Sequence, residues 1–109
     1  MAVDSAQQVF DIVMPEKLKA KAQLIASINA AYKFEITGDN GGVWLLDLAQ
    51  PGGKITKGDG TAACTITMAS KDFVDMMNGT LNPQMAFMGG KLRVAGDMNL
   101  AMKLAALVS

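Results

Sequence analysis

Few side chains in this sequence have the types and spacings that acid–base or covalent chemistry needs. There is no histidine among the 109 residues, which removes His-based triads, the commonest general base and the commonest metal ligand. Cys64 is the single cysteine. With no histidine to activate it, and standing mid-strand on an apolar face, it reads as core rather than nucleophile. Gly52-Gly53-Lys54 and Gly89-Gly90-Lys91 are followed by Ile and Leu, so neither fits the phosphate-binding GxxxxGK-Ser/Thr loop. Gly58-Asp59-Gly60 is too short for a dinucleotide fingerprint. Asp72 and Asp75 stand three apart on a helix and could pair as acids or ligate a cation. Two carboxylates alone make a poor site, and solvation at a helix end is the simpler reading. Asp47, beside Trp44, could take a proton, but hydrogen bonding within a turn is plainer. The expectation is a protein that is not itself an enzyme, with no catalytic residue, no cofactor and no metal.

Composition narrows the partners. Ten basic residues balance ten acidic ones, with no block of like charge, which argues against nucleic acid. Aromatic residues are few, so stacking platforms for bases are not expected. The lone cysteine fits a reducing compartment or simple burial. No basic-then-apolar leader opens the sequence, and no run approaches about 18 apolar residues. A soluble, intracellular, monomeric single domain is expected over 1–109.

The periodicities supply the elements. Val9, Ile12 and Val13, widened by Phe10 and Met14, predict a helix over Ala6–Met14 capped by Asp4 or Ser5 and ended by Pro15. A second helix runs roughly from Glu16 to Ala31, with Leu18, Ala22, Ile25 and Ile28 inward. Its Lys17, Lys19 and Lys21 read as a solvated face, with membrane-surface contact as the sharper alternative. The period then changes to two. Tyr32, Phe34 and Ile36 mark one strand, and Val43–Leu48 a second after the Gly38–Gly42 turn. Ile55–Lys57 makes a short edge strand. Cys64, Ile66 and Met68 share a face of a fourth strand, in hairpin-like succession with the others. Ser70 is a helix N-cap candidate ahead of Phe73, Met76 and Met77. Asn82-Pro83 starts a short helix, Gly89-Gly90 stops it, Lys91–Ala95 is a strand, and Asp97 caps a last helix from Met98 to about Val108. This order is α+β, a five-stranded, mostly antiparallel sheet with helices on one face.

The last helix is apolar around nearly its whole circumference, with only Asn99 and Lys103 polar inside it. A surface helix normally shows a polar half. Either it is fully buried, or its second face has a cover in protein, a partner or an apolar ligand. Nine methionines is a high count, and Met68, Met76, Met77, Met85, Met88, Met98 and Met102 cluster in the second half. Methionine fills irregular cores and also suits surfaces that meet many shapes.

Several stretches together resemble the sterol carrier protein 2 family. Gly42-Val43-Trp44-Leu45-Leu46-Asp47-Leu48 is similar to its G-x-W-x-x-D segment. Ala63–Met68, followed by Asp72-Phe73, resembles the next signature. Asn82-Pro83-Gln84, Ala86-Phe87, Gly90-Lys91-Leu92, Gly96 and Met98–Leu104 resemble the most distinctive one. The resemblance implies a five-stranded sheet covered by helices with a hydrophobic tunnel between them. It implies binding of fatty acids, fatty acyl-CoA and sterols, and their transfer between membranes or to enzymes. Members occur alone or as the last domain of peroxisomal β-oxidation enzymes, so an auxiliary or docking domain of such an enzyme is the alternative function. Those enzymes usually end in a small-basic-leucine tripeptide. Leu107-Val108-Ser109 gives the expectation of a cytoplasmic protein as the chain stands, and a peroxisomal one if it is an excised domain or has lost that tripeptide.

On this reading the lipid-binding residues are Phe10, Val13 and Met14 from the first helix and Trp44 from the sheet. Phe73, Met76, Met77, Leu81, Met85, Phe87 and Met88 add the middle of the lining, and Met98, Met102 and Leu104 close it. Gln84 is the candidate for holding a polar head group. The expected partners are a fatty acid, fatty acyl-CoA or sterol and a transient membrane contact.

Overall fold

Residues 3–108 are described by a computed structural model. Helical structure opens with α1 (Ala6–Gln8), a π-helical turn (Val9–Val13), α2 (Met14–Ala20) and α3 (Ala22–Ile28). Strands β1 (Ala31–Thr37), β2 (Gly42–Asp47), β3 (Lys54–Lys57) and β4 (Cys64–Ala69) follow. Then come α4 (Ser70–Met77), α5 (Pro83–Met88), β5 (Leu92–Gly96) and α6 (Met98–Val108). The five strands form one sheet in the order β3-β2-β1-β4-β5.

The expected break at Pro15 does not occur. The helical path runs unbroken from Ala6 to Ala20, with Pro15 in the first turn of α2. Proline lacks the N–H for an intrahelical bond and its ring crowds the carbonyl four residues back. The π turn absorbs this: Met14 N–H donates to Val9 C=O, five residues back, and so widens the helix just ahead of the proline. The break comes instead at Lys21 (φ −122°, ψ 40°), and α3 ends at Ile28 with Asn29 in the left-handed region. The second predicted helix is therefore two short ones, and β1 begins where it was expected to finish. Ser5 is the N-cap of the first turn, its hydroxyl accepting from Gln8 N at 3.3 Å.

The sheet is mostly antiparallel, but not a simple succession of hairpins. β1 pairs with β2, β2 with β3, and β4 with β5, all antiparallel. β4 lies beside β1 and parallel to it, with Tyr32 opposite Cys64 and Ile36 opposite Met68. The chain leaves the β3 edge and crosses to the far side of β1. Lys33 Nζ meets Asp59 of that crossing at 3.1 Å. Inward-facing Tyr32, Phe34, Ile36, Trp44, Leu46, Leu48, Cys64, Ile66 and Met68 are all buried, and the helices pack on that face in one continuous core.

The second half follows the local signals closely. Asn82 Oδ1 accepts from Gln84 N and Met85 N at 2.8 and 3.3 Å. Asp97 Oδ1 accepts from Asn99 N and Leu100 N at 2.8 and 3.4 Å. Ser70 is not a cap: Ala69 occupies that position and Ser70 is the first residue of α4.

Candidate functional site

The layer between sheet and helices is organised on aromatic rings. The π turn aims Phe10 at the sheet, where it stacks on Trp44 (4.7 Å between centroids) and Phe73 (5.5 Å) and meets Phe34 edge-on (5.2 Å). Offset-stacked and edge-on pairs of this kind add to the area they bury. Lys57 Nζ stands 5.3 Å from the Trp44 ring and donates to Gln7 Oε1, tying the edge strand β3 to α1.

The expected lining divides into three groups. Phe10, Met14, Trp44, Phe73, Met76 and Leu104 are buried. Val13, Met77 and Leu81 are half-buried and packed against the core. Gln84, Met85, Phe87, Met88, Met98 and Met102 are exposed. The first two groups lie in the layer between helices and sheet, and the third is on α5 and α6. Both of those helices pack on β5, an edge strand whose inward-facing Leu92 and Val94 are only half-buried.

α6 settles its orientation by side-chain type. Leu100, Leu104 and Leu107 turn inward and are buried, whereas Met98 and Met102 are exposed. Three leucines at this spacing make one stripe, and the two methionines lie on the opposite side. Two polar ties hold the helix. Tyr32 donates from its buried hydroxyl to Leu100 C=O at 2.6 Å, and Lys21 Nζ donates to Ala106 C=O at 2.7 Å, where a cation also suits the helix dipole.

Phe34, Tyr32, Leu92, Val94 and Leu100 belong to this layer but were not among the expected lining residues. Alternation already placed Tyr32 and Phe34 on the inward face. What was missing was the pairing that puts β1 in the middle of the sheet.

The electrostatics of the layer favour neutral groups. Burial raises the Tyr32 phenol above its ordinary 10.0, with Cys64 and Asp97 acting in the same direction. Burial also raises the Cys64 thiol, again with help from Asp97. A thiol that resists ionisation is a poor nucleophile. Both groups hold their protons more tightly folded than unfolded. Their contribution to stability is complete below the unfolded values and is lost as pH rises from there towards the folded ones. Stability should therefore decline above about pH 9, and Tyr32→Phe should make the decline beyond about pH 10 shallower. Urea midpoints across an alkaline series check this; an unchanged slope in Tyr32→Phe would assign the loss to other groups.

Asp47 is occupied by its turn, accepting from Ala49 N and Gln50 Nε2, both at 3.0 Å. No group of three or more His, Cys, Asp or Glu that could hold a metal occurs among the described residues. No helix among them is long and apolar enough to cross a membrane. A polar cleft of about 410 Å³ at the start of α4, lined by Asp39, Ser70, Lys71 and Asp75, is distinct from the expected lining.

Residues 13–109 match the SCP-2 sterol transfer family. Over 107 residues the chain is 39% identical to hydroxysteroid dehydrogenase-like protein 2 of Rattus norvegicus, covering 96% of this chain and 20% of that protein. It is 40% identical over 107 residues to peroxisomal multifunctional enzyme A of Dictyostelium discoideum, covering 95% and 24%. The chain thus spans about a fifth to a quarter of the length of the curated relatives it matches. Among solved structures, the sterol carrier protein domain 2 of Helicoverpa armigera is 33% identical with a TM-score of 0.78, covering 93% of this chain and 83% of that one. Sterol carrier protein 2 of Aedes aegypti, solved in complex with the C16 fatty acid palmitate, is 26% identical with a TM-score of 0.62, covering 88% and 94%.

Proposed function

This chain belongs to the SCP-2 sterol transfer family, and we propose that it binds and carries lipids without catalysing their conversion. The ligands are fatty acids, fatty acyl-CoA or sterols. The observation that carries the reading is the placing of the apolar surplus. A buried layer of rings and methionines between sheet and helices continues outward to exposed Met85, Phe87, Met88, Met98 and Met102 beside a sheet edge. A lipid chain entering along that path would exchange water for apolar surroundings. At about 0.8 kcal/mol per methylene, a C16 chain gains on the order of 10 kcal/mol before ordering costs. Few polar contacts are then needed, and Gln84, exposed at the start of α5, is available for a head group. The Aedes aegypti relative, which holds palmitate, supports this ligand class. The chain acts as a monomer that touches membranes transiently to exchange cargo.

Native mass spectrometry of the purified protein, with extraction and identification of bound lipid, tests the reading. One lipid per chain is expected, together with saturable uptake of a fluorescent fatty acid. A ligand-free mass with no saturable uptake would overturn it. Within the same assay, Met102→Asp should weaken uptake about tenfold, roughly 1.4 kcal/mol, while Lys103→Asp has a much smaller effect. The two residues are adjacent and exposed, so equal losses would mean the lipid path is elsewhere.

A second reading is favoured by the coverage of the relatives. Matches that take in a fifth to a quarter of a named dehydrogenase-like or multifunctional enzyme support an auxiliary domain that presents lipid to catalytic domains of a longer protein. In that setting the location is peroxisomal; as a free carrier it is cytoplasmic.

A further inference from the structure

We propose that the β5 edge of the sheet is a docking site for an extended segment of a partner protein in which apolar and acidic residues alternate, bound as a further antiparallel strand. The backbone supplies the template. β5 has one neighbour in the sheet, β4. Asp97 N donates to Ala63 C=O at 3.2 Å, one step beyond the pairing of Gly96 with Cys64. Bonded and non-bonded pairs alternate along an antiparallel ladder. Ala95 and Arg93 therefore bond β4, and the N–H and C=O groups of Leu92, Val94 and Gly96 point away from the sheet. No other element bonds them among the described residues.

The two edges of the sheet differ. β3 is blunted: it is four residues long, and Lys57, opposite Trp44, sets a charge over the inward face, which discourages pairing. β5 has no such guard. Its inward Leu92 and Val94 are half-buried, whereas Met68 and Ile66, opposite them on β4, are buried. Apolar side chains on an added strand, directly opposite Leu92 and Val94, would complete their cover.

Charge selects the occupant. Arg93 alternates with Leu92 and Val94, so it lies on the open face of the sheet, away from the helices. Arg93 and Lys91, which precedes the strand, are exposed, and their side chains make no ion pair or hydrogen bond among the described residues. A carboxylate opposite Arg93 gains a cross-strand ion pair, and a cation there is repelled. A second copy of this edge cannot supply the complement. β5 contains no acidic residue, and the adjacent Asp97 is engaged in capping α6. The contact needs no lipid, so it stands or falls apart from the carrier reading.

Fluorescence anisotropy with a short labelled peptide of alternating valine and glutamate tests it. Saturable binding is expected, and a peptide of alternating valine and lysine should not bind. Lys91→Glu/Arg93→Glu should weaken binding of the glutamate peptide at least about tenfold and admit the lysine peptide. Lys19→Glu/Lys71→Glu, the same change of net charge at other exposed positions, should retain the original preference. Methylated peptides probe the backbone without altering the protein. Directly opposite residues share a face, so the peptide valines make the bonded pairs with Leu92 and Val94. N-methylation at the valines should abolish binding, and N-methylation at the glutamates should leave it within about threefold. In hydrogen exchange the Leu92 and Val94 amides should slow on binding, while those of Arg93 and Ala95, already bonded to β4, change little. No saturable binding, equal sensitivity to methylation at both positions, or equal losses in the two charge-reversal variants would each overturn the proposal. A dimer of the chain that the peptide dissociates would assign the edge to a second copy and overturn it too.

Discussion

Phe10→Ala is expected to lower the free energy of unfolding by about 4 kcal/mol. The ring is 2% exposed and stands between the helical cover and the sheet. It stacks within 20° of parallel on both Trp44 (15°) and Phe73 (19°), and meets Phe34 at 66°. Truncation therefore loses the transfer energy of a phenyl group, three ring contacts and the packing around the hole left behind. Ile12 is the control. It lies in the same π turn but is 40% exposed, so Ile12→Ala should cost within about 1 kcal/mol. Urea unfolding followed by far-ultraviolet circular dichroism makes the comparison without relying on Trp44, the stacking partner. Similar costs for the two variants would mean that the ring does not organise the layer. The proposed lipid path runs through this layer, so fatty-acid uptake in Phe10→Ala should hold or rise even as stability falls.

What the sequence made legible was whatever is decided within a few residues. Asn82-Pro83, Gly89-Gly90 and Asp97 are such signals: the Asn82 and Asp97 side chains each accept from amides two and three positions on, and Gly89 N–H closes α5 on Met85 C=O. The inward face of β1, β2 and β4 was legible because alternation needs only neighbours. Pro15 misled because the residue before proline usually leaves the helix, while a π turn ahead of it keeps the path helical. The β3 to β4 connection misled for another reason. Gly58-Asp59-Gly60 has hairpin composition, but β4 has three inward apolar residues that need a covered slot. The edge strand β3 has only Ile55 to offer as a neighbour, whereas β1 supplies Tyr32, Phe34 and Ile36. The site was half legible. Every residue of α6 that could line a lipid path is apolar, so the pattern could not fix the rotation of the helix. The structure sorts it by type, leucines inward and methionines outward. β-pairing and helix rotation depend on burial summed over the whole layer, which no local window contains.

Gly96→Ala should be nearly as damaging, at about 3 kcal/mol, and it acts on α6. Gly96 ends β5 opposite Cys64 with φ +101°, a conformation that L side chains rarely adopt. A Cβ there would also press directly on the carbonyl oxygen of Ala63. That oxygen is not free to move, because it accepts from Asp97 N at 3.2 Å while Ala63 N donates to Ala31 C=O at 3.1 Å. The strand end and the start of the helix therefore share one anchor. Relieving the clash shifts Asp97, and with it the cap on Asn99 and Leu100 and the Tyr32 hydroxyl bond to Leu100 C=O. Gly79→Ala separates backbone strain from crowding. Gly79 also has a positive φ, +84°, but open space where the Cβ would go, so it should cost about 1 kcal/mol. If the two variants are equally destabilised in urea, the β5–α6 junction yields and the anchor is not rigid. If Gly96→Ala costs the larger amount and also lowers fatty-acid uptake at temperatures where it remains folded, the seating of α6 on the sheet is part of the binding path.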